Sequence, residues 1–145
     1  QALLERYIAG REFTVGVLGE SALPVIEIRH KREFFDLDAK YGDETERLLN
    51  PDIAPELRDK MQEVAVAAHR AIGCRHLSRV DLMLESDGCI YVLEVNTIPG
   101  FTDHSLFPMA AKASGVEFPD LCERISEMAL ADAHAAQVNV SERQA

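Results

Sequence analysis

The sequence predicts a domain of the α+β class, in which helices pack on an antiparallel β-sheet. Three strand-like runs near the start, 2–8, 12–18 and 22–29, are separated by short connections rather than by helices. Asp87-Gly88 lies between two further runs rich in Val, Ile, Leu and Tyr, which is a strong hairpin signal because a tight turn needs residues that tolerate positive φ. Between these regions, apolar residues recur at three- and four-residue steps over 55–72, as expected for an amphipathic helix.

The first three runs are expected to form an antiparallel meander. Ala9-Gly10-Arg11 is a glycine-containing hairpin connection between the first two runs. Pro24 lies near the beginning of the third run, where it indicates an edge or an entry point of the sheet. From Arg32 to Pro55 the pattern loses its periodicity but keeps aromatic residues, which is typical of a functional loop that closes over a site.

Three helices are predicted, and the first is the clearest. Pro55 suits its first helical position and Gly73 suits the cap at its C-terminal end. The other two are predicted over 109–114, ended by Gly115, and over 119–131, with 133–145 expected to fray as a tail.

The hairpin around Asp87-Gly88 predicts which residues face each other. With a two-residue turn, Asp81 lies opposite Glu94 and Arg79 lies opposite Asn96. Side chains alternate across a strand, so the hairpin has a polar face and an apolar face. The polar face is expected to carry Arg79, Asp81, Met83, Val92, Glu94 and Asn96, and the apolar face Val80, Leu82, Leu84, Tyr91, Leu93 and Val95.

Asp81, Glu94 and Asn96 are candidate ligands of a magnesium–nucleotide site. Two carboxylates about 4 Å apart repel by about 1 kcal/mol in a water-like medium and by about 4 kcal/mol at an effective dielectric near 20, and a divalent cation reverses that sign. Oxygen ligands of this kind suit Mg²⁺. From the hairpin alone, a solvated face balanced by Arg79 is an equal alternative. Asp81→Asn or Glu94→Gln is therefore expected to weaken magnesium–nucleotide binding and to leave the metal-free protein stable, or to stabilise it, because a like-charge pair is relieved.

The residues after the second strand of the hairpin are suited to anion binding. Pro99-Gly100 predicts a turn in which Gly100 permits close backbone approach to a ligand, although Pro-Gly alone is usually an ordinary turn. Ser105 and Leu106 precede Pro108, which fits the first turn of a helix. A helix start offers unpaired N–H groups to an anion, and Ser105 adds a hydroxyl.

Composition excludes several classes of function. The formal net charge is -10 and no Lys or Arg cluster is present, which argues against nucleic-acid partners. Three scattered cysteines indicate neither a disulfide framework nor a zinc site, and a reducing cytoplasm is the simplest location. No run resembles a membrane span or a signal peptide. The chain begins with Gln1 rather than Met, so we expect it to be one piece of a longer protein.

The run Arg79-Val80-Asp81, together with LEVNTIPGFTDHSL over 93–106, resembles the signature of the D-alanine–D-alanine ligases, members of the ATP-grasp superfamily. The resemblance extends over about residues 3–130. It implies the larger ATP-grasp lobe, with an antiparallel sheet and helices on one side, as one C-terminal domain over 1–132.

The resemblance also implies a reaction and its catalytic residues. ATP phosphorylates the first D-alanine, and the second attacks the acyl phosphate to give a dipeptide for peptidoglycan, and hence for cell-wall biogenesis and cell shape. Asp81, Glu94 and Asn96 would hold two Mg²⁺, with Mn²⁺ as an alternative metal. Arg79 would stabilise the transferred phosphoryl group and the tetrahedral intermediate. The N–H of Gly100 would help to form the oxyanion hole. The hydroxyl of Ser105 and the N–H of Leu106 would bind the carboxylate of the second D-alanine.

Further matches concern the nucleotide. In the family, the segment matching Glu5, Arg6 and Ile8 runs along the adenine, and the acid matching Glu12 binds the ribose. Solvent-facing strand residues are the alternative for both acids.

Four more positions match residues around the nucleotide or the second substrate. The resemblance assigns Phe34, Met83 and Leu93 to the adenine, although Phe34 could equally be a core residue. Lys40 matches a loop lysine at the terminal phosphates, with an ordinary surface lysine as the alternative. Tyr41 favours dipeptide formation over the lactate ester that some relatives make.

Two parts of the family have no counterpart in these residues: the N-terminal domain and the small lobe with its glycine-rich phosphate loop. The isolated chain is therefore expected to bind Mg-nucleotide weakly at most and to show no ligation. The full-length enzyme is expected to be a cytoplasmic homodimer with D-alanine and ATP as partners. Two other hypotheses stay open: another ATP-grasp carboxylate–amine ligase, and a non-catalytic remnant domain.

Overall fold

The computed structural model describes residues 2–30 and 45–142. These residues form six strands and three helices, numbered here in chain order. The strands are β1 (Gly10–Leu18), β2 (Ser21–Ala22), β3 (Ile26–His30), β4 (Thr45–Leu48), β5 (Leu77–Glu85) and β6 (Ile90–Asn96). The helices are α1 (Pro55–Ala71), α2 (Leu106–Ala113) and α3 (Phe118–Glu142). The predicted α+β class, with an antiparallel sheet and packed helices, is confirmed.

The sheet is antiparallel throughout its described pairs, and β1 lies in its middle. The strand order is β4-β3-β1-β5-β6. The short strand β2 pairs with β1, on the same edge of β1 as β3. β1 pairs with β5 along its whole length, from Gly10 opposite Glu85 to Leu18 opposite Leu77. The close approach of these strands requires Gly10, because a Cβ there would lie 2.2 Å from the carbonyl oxygen of Leu84.

The strand predicted over 2–8 is wrong. Residues 2–9 form no strand, and Leu3, Leu4 and Tyr7 are exposed. A hairpin between this segment and β1 would need a free edge of β1. Both edges are occupied, by β5 on one side and by β3 and β2 on the other.

Two further strand boundaries differ from the prediction. The run predicted over 22–29 is split into β2 and β3, and Pro24 lies between them, consistent with its role as an entry point to β3. Part of the predicted loop is a strand, since β4 pairs with β3 from Glu27 opposite Leu48 to His30 opposite Thr45. Of the predicted loop, residues 32–44 lie outside the described residues.

Helices cover both faces of the sheet, so the expectation of helices on one side is wrong. On one face, α1 packs Met61 and Ala65 against the buried Phe13, Val15 and Val17 of β1. On the other face, Phe107 of α2 lies against Gly16 of β1. Alternation explains the division, because it directs the large apolar residues of β1 to one face and leaves a glycine on the other.

The helix boundaries confirm α1 and extend the other two helices. Pro55 begins α1, and Gly73 follows it with φ +71°. α2 begins at Leu106 rather than at 109, and Gly115 with φ +87° follows its end. α3 continues past 131 to Glu142, so most of the tail predicted to fray is helical. The Ala-rich composition of this stretch favours helix.

Among the described residues, no helix combines the length and apolarity needed to cross a membrane.

Candidate functional site

The hairpin brings Asp81 opposite Glu94 as predicted, but through two compensating irregularities. The connection has three residues rather than two, since Glu85 N–H donates to Cys89 C=O at 3.0 Å and Gly88 takes φ +87°. Leu82 therefore pairs with Val92, one residue away from the predicted register. A bulge then restores it, because Leu93 is an extra residue between the Leu82 pair and the Asp81 pair.

These irregularities change which side chains share a face near the turn. Tyr91 pairs with Met83 and so lies on the polar face, whereas the prediction put it on the apolar one. Val92 pairs with Leu82 on the apolar side, which is also a correction. At Leu93 the bulge interrupts alternation, so this side chain need not oppose that of Glu94, and it is 47% exposed.

Asp81 is the most buried acid of the site, and its carboxylate accepts three hydrogen bonds. Arg79 donates to it twice, from Nε to Oδ1 at 2.9 Å and from Nη2 to Oδ2 at 2.7 Å. The hydroxyl of Thr14 donates to Oδ1 at 2.6 Å. Only 12% of the Asp81 side chain and 14% of the Arg79 side chain are exposed. This bidentate pair is well shielded from solvent and strongly oriented.

Arg79 also lies between the two acids. Its Nη2 is 3.7 Å from Oε1 of Glu94, whose side chain is 59% exposed. The hydrogen bonds to Asp81 raise the pKa of Arg79, with further contributions from the charges of Asp81, Glu94 and Glu12. Asn96 is the Cα partner of Arg79, and its Oδ1 accepts from the N–H of Ile98 at 3.1 Å.

The guanidinium of Arg79 changes the electrostatics expected for this face. Repulsion between the two facing acids does not dominate, because a cation bridges them. For Asp81 this ion pair reverses the expectation for the metal-free protein: loss of the charge would leave Arg79 largely buried with a weaker partner. Arg79 does balance charge on this face, but the Asp81–Arg79 pair is shielded from solvent, unlike the solvated face of the alternative.

The segment after β6 folds back so that Gly100 and Ser105 are neighbours. A Cβ on Gly100 would lie 3.0 Å from Oγ of Ser105. That Oγ accepts from Thr102 N–H at 3.1 Å and shares a hydrogen bond with the Thr102 hydroxyl at 2.9 Å. Within the part of the chain that the structure describes, no side-chain oxygen caps α2, so N–H groups of its first turn remain open to an anion.

Phe107 brings this helix start to the polar face. It is buried over Gly16, and Gly16 is the Cα partner of Arg79 in the β1–β5 ladder. Ser105 and Leu106, which directly precede Phe107, therefore lie on the side of the sheet that carries Arg79 and Asp81. The structure thus gathers the predicted carboxylates, guanidinium and helix start on one face.

Two of the predicted nucleotide residues lie farther along the same face: Glu12 pairs with Met83 in the β1–β5 ladder, and Met83 is two residues from Asp81. Glu5, Arg6 and Ile8 belong to the segment 2–9, which forms no strand. Phe34, Lys40 and Tyr41 lie outside the described residues.

Sequence reasoning missed Thr14, which holds Asp81 in place. The signal was present in β1, where Glu12, Thr14 and Gly16 alternate with Phe13, Val15 and Val17. A polar residue at every second position of a central strand indicates a functional face.

The donor set fits a magnesium ion. A carboxylate offers about four lone-pair sites, and Asp81 uses three of them in the hydrogen bonds above. Glu94 is exposed, and the Asn96 carbonyl oxygen also keeps acceptor capacity. Over 2–30 and 45–142 no group of three or more His, Cys, Asp or Glu could hold a metal, so two carboxylates and one amide are the ligands available, and bound phosphates would complete the shell.

Solved structures share this arrangement of strands and helices. The D-alanine–D-alanine ligase from Bacillus anthracis complexed with ATP matches with a TM-score of 0.79 and 35% identity, covering 91% of this chain and 42% of that one. The ligase from Coxiella burnetii matches with a TM-score of 0.79 and 28% identity, covering 95% and 36%. The fold and the paired acids on its sheet define an ATP-grasp domain.

Sequence comparison identifies the family. The family model for the D-ala D-ala ligase C-terminus matches residues 1–127. The D-alanine–D-alanine ligase of Rhodospirillum rubrum is 48% identical over 134 residues, covering 92% of this chain and 44% of the relative. That of Carboxydothermus hydrogenoformans is 49% identical over 135 residues, covering 90% and 43%. The chain belongs to the D-ala D-ala ligase C-terminus family, and it spans less than half the length of these relatives.

Proposed function

We propose that this chain is the C-terminal part of an ATP-dependent ligase that joins two D-alanines for peptidoglycan synthesis in the cytoplasm. The observation that carries the proposal is the pair of facing acids, Asp81 and Glu94, with Arg79 between them. They share a face of the sheet with an uncapped helix start. Metal ligands, a permanent cation and an anion site are the groups that a phosphoryl-transfer ligase needs.

The reaction has two steps. A carboxylate oxygen of the first D-alanine attacks the γ-phosphorus of ATP, the bond to the β-phosphate oxygen breaks, and ADP leaves. The amino nitrogen of the second D-alanine, having lost a proton, then attacks the acyl carbon, and inorganic phosphate leaves as the peptide bond forms. Negative charge accumulates in both transition states, so positive groups held in advance lower both barriers.

Asp81, Glu94 and Asn96 would hold two Mg²⁺, with Mn²⁺ as an alternative metal. When bound, the metal neutralises charge on the phosphates and orients them. The protein residues supply the oxygen ligands: Glu94 is accessible from solvent, while Asp81 is fixed by Thr14 and Arg79. This asymmetry suits Glu94 to a ligand shared between two ions.

Arg79 stabilises charge at the transferred phosphoryl group and at the tetrahedral intermediate. Its guanidinium stays protonated, and Asp81 holds it by two hydrogen bonds, so little reorganisation accompanies the reaction. The N–H of Gly100 completes the oxyanion hole. The hydroxyl of Ser105 and the N–H of Leu106 bind the carboxylate of the second D-alanine, which the uncapped end of α2 supports.

The nucleotide extends from the metal ligands toward the other end of the polar face. Glu12 accepts hydrogen bonds from the ribose, and Met83 and Leu93 contact the adenine. The segment that contains Glu5, Arg6 and Ile8 runs along the base. For three residues outside the described ranges the proposal keeps the roles that the resemblance implies: Phe34 at the adenine, Lys40 at the terminal phosphates, and Tyr41 in favouring an amine as the second substrate.

A chimera tests the proposal. This chain replaces the matched C-terminal residues of the Rhodospirillum rubrum ligase, and phosphate release is measured with Mg-ATP and D-alanine, L-alanine, glycine or D-lactate. We expect release with D-alanine and its loss in the Arg79→Ala chimera. Release with another acceptor only would support a different carboxylate–amine ligase.

The isolated chain is expected to behave differently from the chimera. Calorimetric titration should give weak binding of Mg-ATP and no ligation, because the domain that helps bind the first D-alanine and the phosphate loop are supplied by the rest of the enzyme. D-alanine-dependent phosphate release by the isolated chain would contradict this division of labour. A chimera that folds but binds no ATP would indicate a non-catalytic remnant. The chimera should form a homodimer by light scattering.

A further inference from the structure

Arg6 fastens the segment 2–9, which forms no strand, to the hairpin. Its Nη2 lies 3.2 Å and 3.3 Å from the two carboxylate oxygens of Glu85. Its guanidinium carbon lies 5.6 Å from the centroid of the Tyr91 ring. The hydroxyl of Tyr91 donates to Oε2 of Glu85 at 3.1 Å. Each of these three side chains therefore contacts the other two, and we name them the Arg6 anchor.

The anchor lies on the same face as the metal ligands. Glu85 is four residues beyond Asp81 on β5, so alternation directs both side chains to one side. Tyr91 is the Cα partner of Met83, which lies between them on that face. At about 3.3 Å per residue the two acids are about 13 Å apart along the strand, a separation comparable to the length of an extended nucleoside triphosphate. A nucleotide whose phosphates meet Asp81 would bring its base toward the anchor.

The segment depends on this anchor because its apolar side chains are not buried. Leu3, Leu4 and Tyr7 are 85%, 97% and 86% exposed. The backbone over 2–9 forms no strand with the sheet. A segment that is ordered only on ligand binding reduces affinity by the entropy of ordering it, whereas one held beforehand does not.

We propose that Glu85 and Tyr91 are positioning residues for the base of the nucleotide: by holding the side chain of Arg6, they fix the backbone of 5–8 beside the base. This inference rests on the proposed function. It also changes the role of Arg6, whose guanidinium is committed to Glu85 and Tyr91, so that its contribution to the nucleotide comes from its backbone.

Titration with two ligands tests the positioning role in the full 145-residue chain. Mg-ATP carries base and phosphates, whereas magnesium tripolyphosphate carries the phosphates alone. Glu85→Gln and Tyr91→Phe should each weaken Mg-ATP binding about twofold to fivefold, the range of a surface ion pair or a hydrogen bond. Tripolyphosphate binding should stay equal to that of the wild type in both variants. Equal losses for both ligands, or no loss for ATP, would overturn the inference.

Glu20→Gln is the matched control. Glu20 accepts from Arg70 Nε at 2.6 Å, and both side chains are largely exposed, but the pair joins α1 to the β1–β2 turn. Its removal deletes a second arginine–carboxylate pair away from the polar face, in which the acid is 71% exposed compared with 21% for Glu85. This variant should bind both ligands as tightly as the wild type does. If it loses ATP binding, the weaker ATP binding of Glu85→Gln and Tyr91→Phe would be an effect of general surface charge and not of the Arg6 anchor.

Limited trypsin digestion tests the anchor without any nucleotide. Trypsin binds the guanidinium of the arginine at which it cleaves, and in the anchor that group is paired with Glu85 and lies over the Tyr91 ring. The side chain of Arg6 is 68% exposed, so the anchor slows cleavage of the Arg6–Tyr7 bond without preventing it. Cleavage at this bond, followed by mass spectrometry, should be about twofold to fivefold faster in Glu85→Gln and Tyr91→Phe than in the wild type or Glu20→Gln. Unchanged cleavage would refute the anchor itself. Accelerated cleavage, together with a Rhodospirillum rubrum chimera that folds but binds neither ligand, would instead retain the anchor and refute the proposed function.

Discussion

The ring of Phe107 lies directly over the α-carbon of Gly16, where an added Cβ would be 2.9 Å from Cδ2 of the ring. Gly16 is the Cα partner of Arg79. The absence of a side chain at one position of β1 therefore lets α2 approach the sheet beside Arg79. The geometry between the proposed oxyanion hole and the proposed metal ligands depends on this contact.

Gly16→Ala should destabilise the protein by about 1–3 kcal/mol, the usual cost of overpacking a core. The new methyl would meet Phe107 and also Leu23, at 2.8 Å from Cδ1. The free energy of unfolding from urea titration measures the effect. Phe107→Leu in the same chain should relieve part of the strain, so the double variant should lose less than the sum of the single losses. Additive losses would argue against the contact.

Asp81→Asn and Glu94→Gln should differ in the metal-free protein. Loss of the Asp81 charge leaves Arg79 largely buried with a weaker partner, and we expect a loss of about 1–3 kcal/mol. Glu94 is 59% exposed, so its variant should stay within about 0.5 kcal/mol of wild type. Both should weaken binding of Mg-ATP, measured by calorimetry. A destabilised Glu94→Gln variant with normal Mg-ATP binding would make that acid structural instead of a metal ligand.

Deletion of Leu93 should remove the bulge and leave Glu94 opposite Asp81. Val92 already pairs with Leu82, so Glu94 would simply become the next residue of a regular ladder. Tripolyphosphate binding should therefore stay within about twofold of wild type, whereas ATP should bind about threefold or more weakly, if Leu93 contacts the base. Calorimetry with both ligands measures the difference. Loss of tripolyphosphate binding would show that the bulge itself aligns the acids.

His69 should make stability depend on pH. It is buried in α1, with Nδ1 2.7 Å from Oγ of Ser78. Burial lowers its pKa below the ordinary value of 6.5. The charge of Glu20 raises this pKa by a smaller amount, and the charge of Arg70 lowers it. Below pH 6.5 the unfolded chain takes up a proton that the folded chain refuses, so stability falls as the pH falls toward the folded-state pKa.

Urea unfolding of wild type and His69→Asn between about pH 5.5 and 7.5 isolates this contribution, because all other ionisable groups are present in both proteins. As the pH falls, the wild type should lose more unfolding free energy than the variant does. Parallel pH profiles would contradict a depressed pKa for His69. The comparison uses slopes, so an overall loss of stability in the variant does not affect it.

Local patterns predicted much of the site because its residues are close in sequence. The hairpin signal at Asp87-Gly88 and strand alternation were sufficient to pair Asp81 with Glu94. They predicted the correct pair but not the register of the residues between that pair and the turn. Neither the three-residue loop nor the bulge at Leu93 has an unambiguous signal in one sequence. The faces of Tyr91 and Val92, which depend on those irregularities, were accordingly wrong.

Periodicity and turn residues in this sequence were enough to determine the α+β class, helix α1 and the acids of the hairpin, because those features depend on neighbours within a few residues. Only the tertiary structure decided that both edges of β1 are filled and residues 2–9 form no strand, that helices cover both faces, and that Arg79 bridges the acids. These outcomes depend on competition among distant segments for the same edge, face or charge, and local patterns do not report such competition.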